Sequence, residues 1–332
     1  MKRLVVLVFV VCVGIVGVGQ SSGQSVPNGT LAFGVVDYAN GGYQGLYLMD
    51  VPGGTAREIP LPMRNVVWPH WSPDGGWIAF GGGLDDQIYV VKPDVSGLRR
   101  VTDGSGAYYE PSFSPDGNRL AFAAQAGHLF TVNVDGTNLT DVGVRASHPE
   151  WSPDGTKIAY SNWAQEGGYN SDLFVYDVTT RTETQITHRA PGEAFNLVAW
   201  SPDSRQLAVA KLGADGDWDI WKMDGDGQNQ VNLTPDITDS SDYPGWWSSD
   251  GRWIFYNHAD PATGNGDIWA MHPDGSGRVN LTNSPLVSES TFSFLLTPVP
   301  EPSTLTMLSL LAVSGVAAGC WRRRKRGLQA ER

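Results

Sequence analysis

Between residues 25 and 300 this 332-residue chain has no cysteine, because its only two, Cys12 and Cys320, lie near the ends. Neither a disulfide framework nor a thiolate metal site is therefore available to the body. Basic residues are scarce there as well, since 15 Lys and Arg face 33 Asp and Glu, a net charge of −18. Phosphate backbones are bound by basic patches, so this deficit argues against nucleic acid as a partner.

Long apolar runs are also missing from the body and occur only at the two ends. Lys2 and Arg3 precede the apolar run 4–18, which is too short to span a bilayer and typical of a secretory signal peptide. We therefore predict that residues 1–24 are a leader. Residues 305–321 are mostly apolar or small, and five consecutive basic residues follow them, which predicts a membrane helix with a cytoplasmic basic tail.

The body itself is built from a repeated cassette, as in "HPEWSPDGTKIAY" from His148. In its Ser-Pro-Asp-Gly turn, Pro presets the backbone, Asp bonds to nearby backbone groups and Gly closes the turn without steric cost. The repeats are anchored by five aspartates, spaced 42, 38, 49 and 47 residues apart: Asp74, Asp116, Asp154, Asp203 and Asp250. Periods of about 40–50 residues are typical of propeller blades.

Each repeat contains the signals of four short strands. After the turn comes an apolar triplet such as "IAF" with both faces apolar, then a strand such as "DIWKMDGDG" that enters a hairpin, then a short "VNLT". A sixth unit is divided between the ends, with "LAFGVV" near the start and "FSFLL" near residue 296. We therefore predict an all-β fold over residues 25–297: a six-bladed β-propeller of four-stranded antiparallel blades, closed by the N- and C-terminal strands.

The "WSPDGxxIAF … DIWxMxxDG … LT" pattern resembles the TolB-like propellers over about residues 27–296. That resemblance implies protein recognition rather than catalysis. Residues 298–332 resemble a PEP-CTERM sorting signal, with its motif at Val299, Pro300, Glu301 and Pro302, then a helix, then a basic cluster. This second resemblance implies cleavage near the motif by an exosortase, a membrane protease. The exported body would then reach the periplasm, cell surface or extracellular matrix. A plain C-terminal anchor is the alternative.

The sequence predicts a binding surface where the innermost strands begin, at the mouth of the central channel. Aromatic residues alternate there with carboxylates, which suits a protein or polysaccharide partner. The candidate residues are Tyr108, Tyr109, Glu110, His148, Glu150, Tyr243, Trp246 and Glu289. We expect a non-catalytic binding protein without a cofactor.

Two alternatives involve metal ions. His70 and His148 come at the entry of the innermost strand in two different blades, so a propeller enzyme such as a metal-assisted polysaccharide lyase or a hydrolase could use them as ligands. Asp215 and Asp217, at alternate positions of "DGDWD", are the candidate calcium ligands, although no glutamate completes a calcium loop. Neither histidine belongs to a sequence motif typical of metal binding. The other aspartates near Asp217 match repeat positions at which strands or hairpin turns begin, which favours a structural role for them.

Overall fold

A computed structural model describes ten ranges of the chain: 27–37, 42–83, 85–104, 106–125, 127–163, 171–213, 216–235, 241–259, 266–282 and 288–296. For residues 35–37, 42–44, 163 and 288–296 only the backbone is described. The predicted leader, the sorting motif at Val299–Pro302, the predicted membrane helix and Asp215 lie outside these ranges. Within them, no helix has the length and apolar character needed to cross a membrane.

The described residues form six antiparallel sheets of four strands each, which confirms the predicted propeller. Blade 1 consists of β24 (Ser288–Leu296), β1 (Gly29–Asp37), β2 (Gly42–Val51) and β3 (Arg57–Ile59). Blade 2 consists of β4 (Val67–Trp71), β5 (Ile78–Gly82), β6 (Gln87–Val91) and β7 (Arg99–Arg100). Blade 3 consists of β8 (Tyr108–Phe113), β9 (Arg119–Ala124), β10 (His128–Asn133) and β11 (Thr140–Arg145).

The remaining three blades follow the same order. Blade 4 consists of β12 (Ser147–Trp151), β13 (Lys157–Trp163), β14 (Ser171–Asp177) and β15 (Thr182–Gln185). Blade 5 consists of β16 (Ala194–Trp200), β17 (Gln206–Leu212), β18 (Trp218–Asp224) and β19 (Val231–Asn232). Blade 6 consists of β20 (Ser241–Trp247), β21 (Ile254–Ala259), β22 (Gly266–Met271) and β23 (Val279–Asn280).

Blade 1 closes the ring because it joins the last strand of the body to the first. β24 pairs with β1 antiparallel, from Gly29 opposite Leu296 to Val36 opposite Ser288. Leu31 pairs with Phe294 in this blade as Ile78 pairs with Trp71 in blade 2, so the two blades share one register. The predicted pairing of "LAFGVV" with "FSFLL" is therefore confirmed, with β24 as the innermost strand of its blade.

Each Ser-Pro-Asp turn is held by a small network of hydrogen bonds. In blade 2 the Ser72 hydroxyl donates to Asp74 Oδ1 at 2.6 Å and accepts from the backbone N–H of Trp77 at 2.9 Å. Asp74 Oδ1 also accepts from the backbone N–H of Gly76 at 2.9 Å. The same arrangement recurs at Ser114, Ser152, Ser201 and Ser248. The serine, which the sequence pattern did not single out, is thus the buried centre of the turn.

A second repeated contact fixes the outermost strands. In blade 5 the Thr234 hydroxyl accepts from the backbone N–H of Ile220 at 3.0 Å and donates to Asp219. Asn232 donates to the same carboxylate at 2.8 Å. Blade 6 repeats this contact with Asp267, Asn280 and Thr282. The recurring aspartate at the start of the third strand therefore holds the fourth strand in place through these bonds. The fourth strand has only two residues in each of these blades, so its own backbone pairing is limited.

The hydrophobic core lies between neighbouring blades rather than at one centre. Ala121 and Leu129 of blade 3, for example, pack against Trp151, Ile158 and Tyr160 of blade 4. All of these side chains are at most a few per cent exposed. Each sheet is thus covered on both faces only because it has a neighbour on each side, as a circular stack requires.

The turn network predicts a contrast between two adjacent serines. Ser248 is fully buried and makes the two turn bonds, whereas Ser249 is exposed. Ser248→Ala should lower the free energy of unfolding by about 1–3 kcal/mol, because it leaves a buried N–H without its acceptor. Ser249→Ala, the matched control, should stay within about 0.5 kcal/mol of the wild type. Equal urea midpoints for the two variants would contradict this account of the turn.

The turns also predict how stability depends on pH. The Ser114 hydroxyl and the backbone N–H of Asn118 hold the pKa of Asp116 below its usual value, despite some opposing desolvation. A carboxyl whose pKa is lower in the folded than in the unfolded state stabilises the fold above its unfolded pKa, and this stability is lost as the pH falls. The urea midpoint should therefore drop below about pH 4. In Ser114→Ala, the drop between pH 5 and pH 3 should be smaller; parallel curves would contradict the proposed linkage.

Candidate functional site

The innermost strands of all six blades carry a β-bulge near the face on which these strands begin, which we call the mouth face. In blade 1 the register shifts between Glu289 and Thr291 of β24. In the other five blades the bulges interrupt the pairing registers between Val67 and His70, Tyr109 and Ser112, Ser147 and Glu150, Asn196 and Val198, and Pro244 and Trp246. Bulges redirect side chains and are frequent next to functional sites. The opposite face, which carries the four Ser-Pro-Asp turns and the equivalent Ser248-Ser249-Asp250 turn, is called the turn face.

Four of the bulges place a non-glycine residue in the left-handed region of backbone space. The residues are Trp68 (φ 49°), Glu110 (φ 59°), His148 (φ 52°) and Leu197 (φ 41°). Such residues cost about 1–3 kcal/mol each and cluster at functional sites. The first three are followed by proline, which normally holds the preceding residue in an extended conformation. The repeated strain therefore points to the surface that these four side chains line.

That surface is the mouth cavity, a space of about 360 Å³ at the centre of the mouth face. All four bulge residues line it, together with His70, Glu150, Trp218 and Tyr243. The Trp218 and Tyr243 rings lie against each other with centroids 5.7 Å apart. The Trp68 ring lies 6.4 Å from the His148 ring and 5.9 Å from the Tyr109 ring. The cavity thus combines aromatic walls with a few polar groups, as ligand sites do.

Glu110 holds the corresponding bulge residue of the next blade. Its carboxylate contacts His148 Nε2 at 3.0 Å and accepts from the His148 backbone N–H at 2.5 Å. Both side chains are largely buried. His148 Nδ1 is buried and has no hydrogen-bond partner among the described residues. A single carboxylate therefore orients the imidazole and satisfies the N–H that the bulge exposes.

His70 and Glu150 form the floor of the mouth cavity. His70 Nε2 on blade 2 lies 3.5 Å from Glu150 Oε1 on blade 4, so the pair reaches across blade 3. The Trp246 ring of blade 6 lies 4.7 Å from the His70 ring. Both members of the pair also line a second cavity of about 330 Å³ on the turn-face side, where Trp246 contributes to the wall. The pair consequently divides the central channel into two chambers.

The charge of the mouth cavity is acidic. Among the described residues that line it, two are carboxylates, two are histidines and none is Lys or Arg. Lys211, a cation near the mouth face, is engaged with Glu193 at 3.2 Å and lies over the Phe195 and Trp221 rings. A cavity lined by two carboxylates, with no Lys or Arg among its described lining residues, favours a positively charged group.

Five of the predicted binding residues lie at the mouth cavity or beside it. Glu110, His148, Glu150 and Tyr243 line the mouth cavity. Tyr109 lies beside it against Trp68, and burial together with the charge of Asp86 raises the pKa of the Tyr109 hydroxyl.

Other candidates lie elsewhere. The prediction that Tyr108 lies on the rim is wrong, because the ring is 6% exposed and packs against Phe122 and Phe130 in the core. Trp246 packs against the His70 ring and lines the second cavity, on the turn-face side. Glu289 lies on β24 opposite Val35, and its side chain is outside the described residues.

The candidate metal ligands gain no support from the described geometry. His70 and His148 each contact a glutamate of another blade. Within the described residues, no group of three or more His, Cys, Asp or Glu side chains is placed to hold a metal ion. Asp217 is described, but the neighbouring Asp215 is not, so the proposed calcium pair stays a prediction.

Sequence reasoning missed Trp68, Leu197, Trp218 and Asn257, which also line the mouth cavity. Trp68 and Leu197 occupy the same repeat position as Glu110 and His148. The signal was therefore available in the alignment of the cassettes, as a position that changes from blade to blade while its neighbours repeat.

Comparisons with known proteins agree with the fold and with the C-terminal sorting signal. Residues 128–291 match the family model described as the TolB beta propeller domain. Residues 298–325 match the PEP-CTERM protein-sorting motif. The TolB homologue of Chlorobium luteolum is 37% identical over 108 residues, which are 30% of this chain and 22% of that protein. The chain therefore spans about a fifth of the length of that relative.

Two solved structures illustrate the breadth of the fold. TolB from Acinetobacter baumannii superposes with a TM-score of 0.66 at 21% identity, covering 80% of this chain and 66% of that one. An oligogalacturonate lyase in complex with manganese superposes with a TM-score of 0.55 at 14% identity, covering 76% of this chain and 74% of that one. At these identities the likeness concerns the fold alone.

The Glu110–His148 contact predicts energetic coupling between blades 3 and 4. Glu110→Ala should lower the free energy of unfolding by about 1.5–3 kcal/mol, since a charged acceptor of two buried contacts is lost. His148→Ala in the same background should cost less than it does alone, with a coupling energy of at least about 0.5 kcal/mol. Urea unfolding of the two single variants and the double variant measures this value. Strict additivity would contradict the assigned contact.

Proposed function

Because the chain is a TolB-like β-propeller with a PEP-CTERM sorting motif, we propose that its mouth cavity binds a cationic segment of a protein partner without catalysis. The protein is exported and transiently anchored in the membrane. The sorting motif implies processing by an exosortase-type protease, after which the propeller acts at the cell surface or in the matrix around it. The observation that carries the proposal is the pairing of two glutamates with aromatic walls in a cavity whose described lining residues include no Lys or Arg.

A Lys or Arg side chain fits both parts of this lining. The Glu110 and Glu150 carboxylates supply acceptors for an ammonium or guanidinium group, and such charge-assisted bonds are about twice as strong as neutral ones. The Trp68, Trp218 and Tyr243 rings offer faces for cation–π contact. A volume of about 360 Å³ is at the small end of ligand sites, so it suits one or two side chains rather than a folded domain.

The position of the histidines supports binding rather than turnover. The Glu110 carboxylate contacts both the backbone N–H and the ring of His148, and these two contacts keep the glutamate in one orientation. His70 contacts Glu150 from the floor, with Nε2 3.5 Å from Oε1. Pre-oriented acceptors reduce the entropy lost when a ligand binds.

A polysaccharide partner and a propeller enzyme are the alternatives. Glu110 and Glu150 would repel an anionic sugar such as a uronate, since no Lys or Arg among the described lining residues compensates them. A neutral glycan would stack on the aromatic walls without using the carboxylates. No observation among the described residues favours a metal-assisted lyase.

The proposal is tested by presenting the purified full-length protein with basic, neutral and acidic peptides and with neutral and uronate oligosaccharides. Basic peptides should bind, and their affinity should fall as salt increases. Glu150→Gln should weaken this binding about tenfold, because a charged hydrogen bond contributes about 1.5–3 kcal/mol and a tenfold change corresponds to 1.4 kcal/mol.

Glu58→Gln is the matched control, since it removes the same charge from an exposed position on the outermost strand of blade 1. It should leave the affinity unchanged. Binding of glycans in preference to basic peptides, or equal losses in the two variants, would contradict the proposed partner. Thermal unfolding of both variants shows whether the fold is intact.

A further inference from the structure

We infer that the membrane-anchored precursor holds its turn face toward the bilayer and its mouth cavity away from it. Processing would then release a propeller whose binding site is already accessible. The inference rests on the sorting signal included in the proposed function and on the direction of β24. It does not depend on the identity of the partner.

The direction of β24 determines the face from which the chain leaves the propeller. In blade 2 the innermost strand ends at Trp71 and passes directly into the Ser-Pro-Asp turn. β24 runs the same way as the other innermost strands, because Phe294 pairs with Leu31 as Trp71 pairs with Ile78. Its last residue, Leu296, lies opposite Gly29, where β1 begins. The chain therefore leaves on the turn face, close to the channel axis.

The tether between the propeller and the predicted membrane helix is short. Eight residues, 297–304, separate Leu296 from Leu305, and three of them are prolines. A fully extended chain reaches at most about 3.6 Å per residue, or about 29 Å for this segment. Proline-rich segments extend by about 3.1 Å per residue, which gives about 25 Å.

That length is too small to let the propeller turn over. An innermost strand such as β16 has seven residues, which corresponds to about 23 Å between the two faces. Three spacings between four strands add about 14 Å from the channel to the outer edge of a blade. A tether that starts at the centre of the turn face would have to pass along both distances, about 37 Å in total, before the mouth face met the bilayer.

Two consequences follow for the anchored protein. Glu110, Glu150 and the aromatic walls of the mouth cavity face the solvent while the sorting helix is still in place. The protease must act in the narrow space between the turn face and the bilayer. Cleavage then changes where the protein is, but not whether the cavity can be reached.

The absence of cysteine from the body makes this orientation measurable with single introduced thiols. In a full-length chain with Cys12→Ala and Cys320→Ala, Ser249→Cys and Arg205→Cys provide exposed sites on the turn face. Ala190→Cys and Asp103→Cys provide exposed sites on the mouth face. Each protein is labelled with a donor dye and reconstituted into phosphatidylethanolamine–phosphatidylglycerol vesicles that contain a headgroup-linked acceptor.

Energy transfer from the two turn-face sites should be about twofold higher than from the two mouth-face sites, because about 23 Å of strand separates the faces. Transfer that is equal at all four sites, or higher at the mouth face, would overturn the inference. Two sites per face guard against a variant that fails to fold, which thermal unfolding detects. The result does not depend on the leaflet into which the protein inserts, since both leaflets carry the acceptor.

A second measurement separates this inference from the proposed function. Basic peptides should bind the vesicle-anchored chain as tightly as the detergent-solubilised chain. Binding lost only on vesicles would overturn the orientation and leave the partner assignment standing. Binding absent in both preparations, with the expected transfer pattern, would overturn the partner assignment and leave the orientation standing.

Discussion

The whole architecture depends on the backbone pairing between the last strand and the first. β24 and β1 align over eight residue pairs, and this ladder is what turns a row of blades into a ring. The core lies between blades, so a row without closure would expose the outer face of its first and last sheets. An exposed strand edge is also a site of aggregation, which a closed ring largely avoids. Closure therefore protects both the apolar faces and the edges.

The repeated turns and the variable bulge residues lie at opposite ends of the same strands. At the turn face, five blades use the same serine, aspartate and hydrogen bonds, so this end contributes an almost identical local structure each time. At the mouth face, the bulge places Trp68, Glu110, His148 and Leu197 at one repeat position. The strain of four left-handed residues is tolerated because the turns and the interblade core are rigid enough to hold them.

The sequence predicted the fold well because its signals are local and repeated. Ser-Pro-Asp-Gly determines a turn within four residues, and the apolar triplet shows that both faces of a strand are buried. The candidate site was harder to predict because it depends on contacts between blades. Nothing in the neighbourhood of Glu110 or Glu150 reveals that they meet His148 and His70. The position of Tyr108 was predicted wrongly because successive side chains of a strand point to opposite faces, so an error of one residue exchanges the core for the rim. A bulge nearby also shifts this alternation.

The meeting of Gly29 and Leu296 has a consequence for the order of events during export. Residue 29 leaves the translocation machinery early, but the strand with which it pairs is synthesised some 260 residues later. Blade 1 can acquire its innermost strand only when the final segment has crossed, so the ring stays open throughout passage. The ring can therefore close only when the last strand of the body is available to pair with the first.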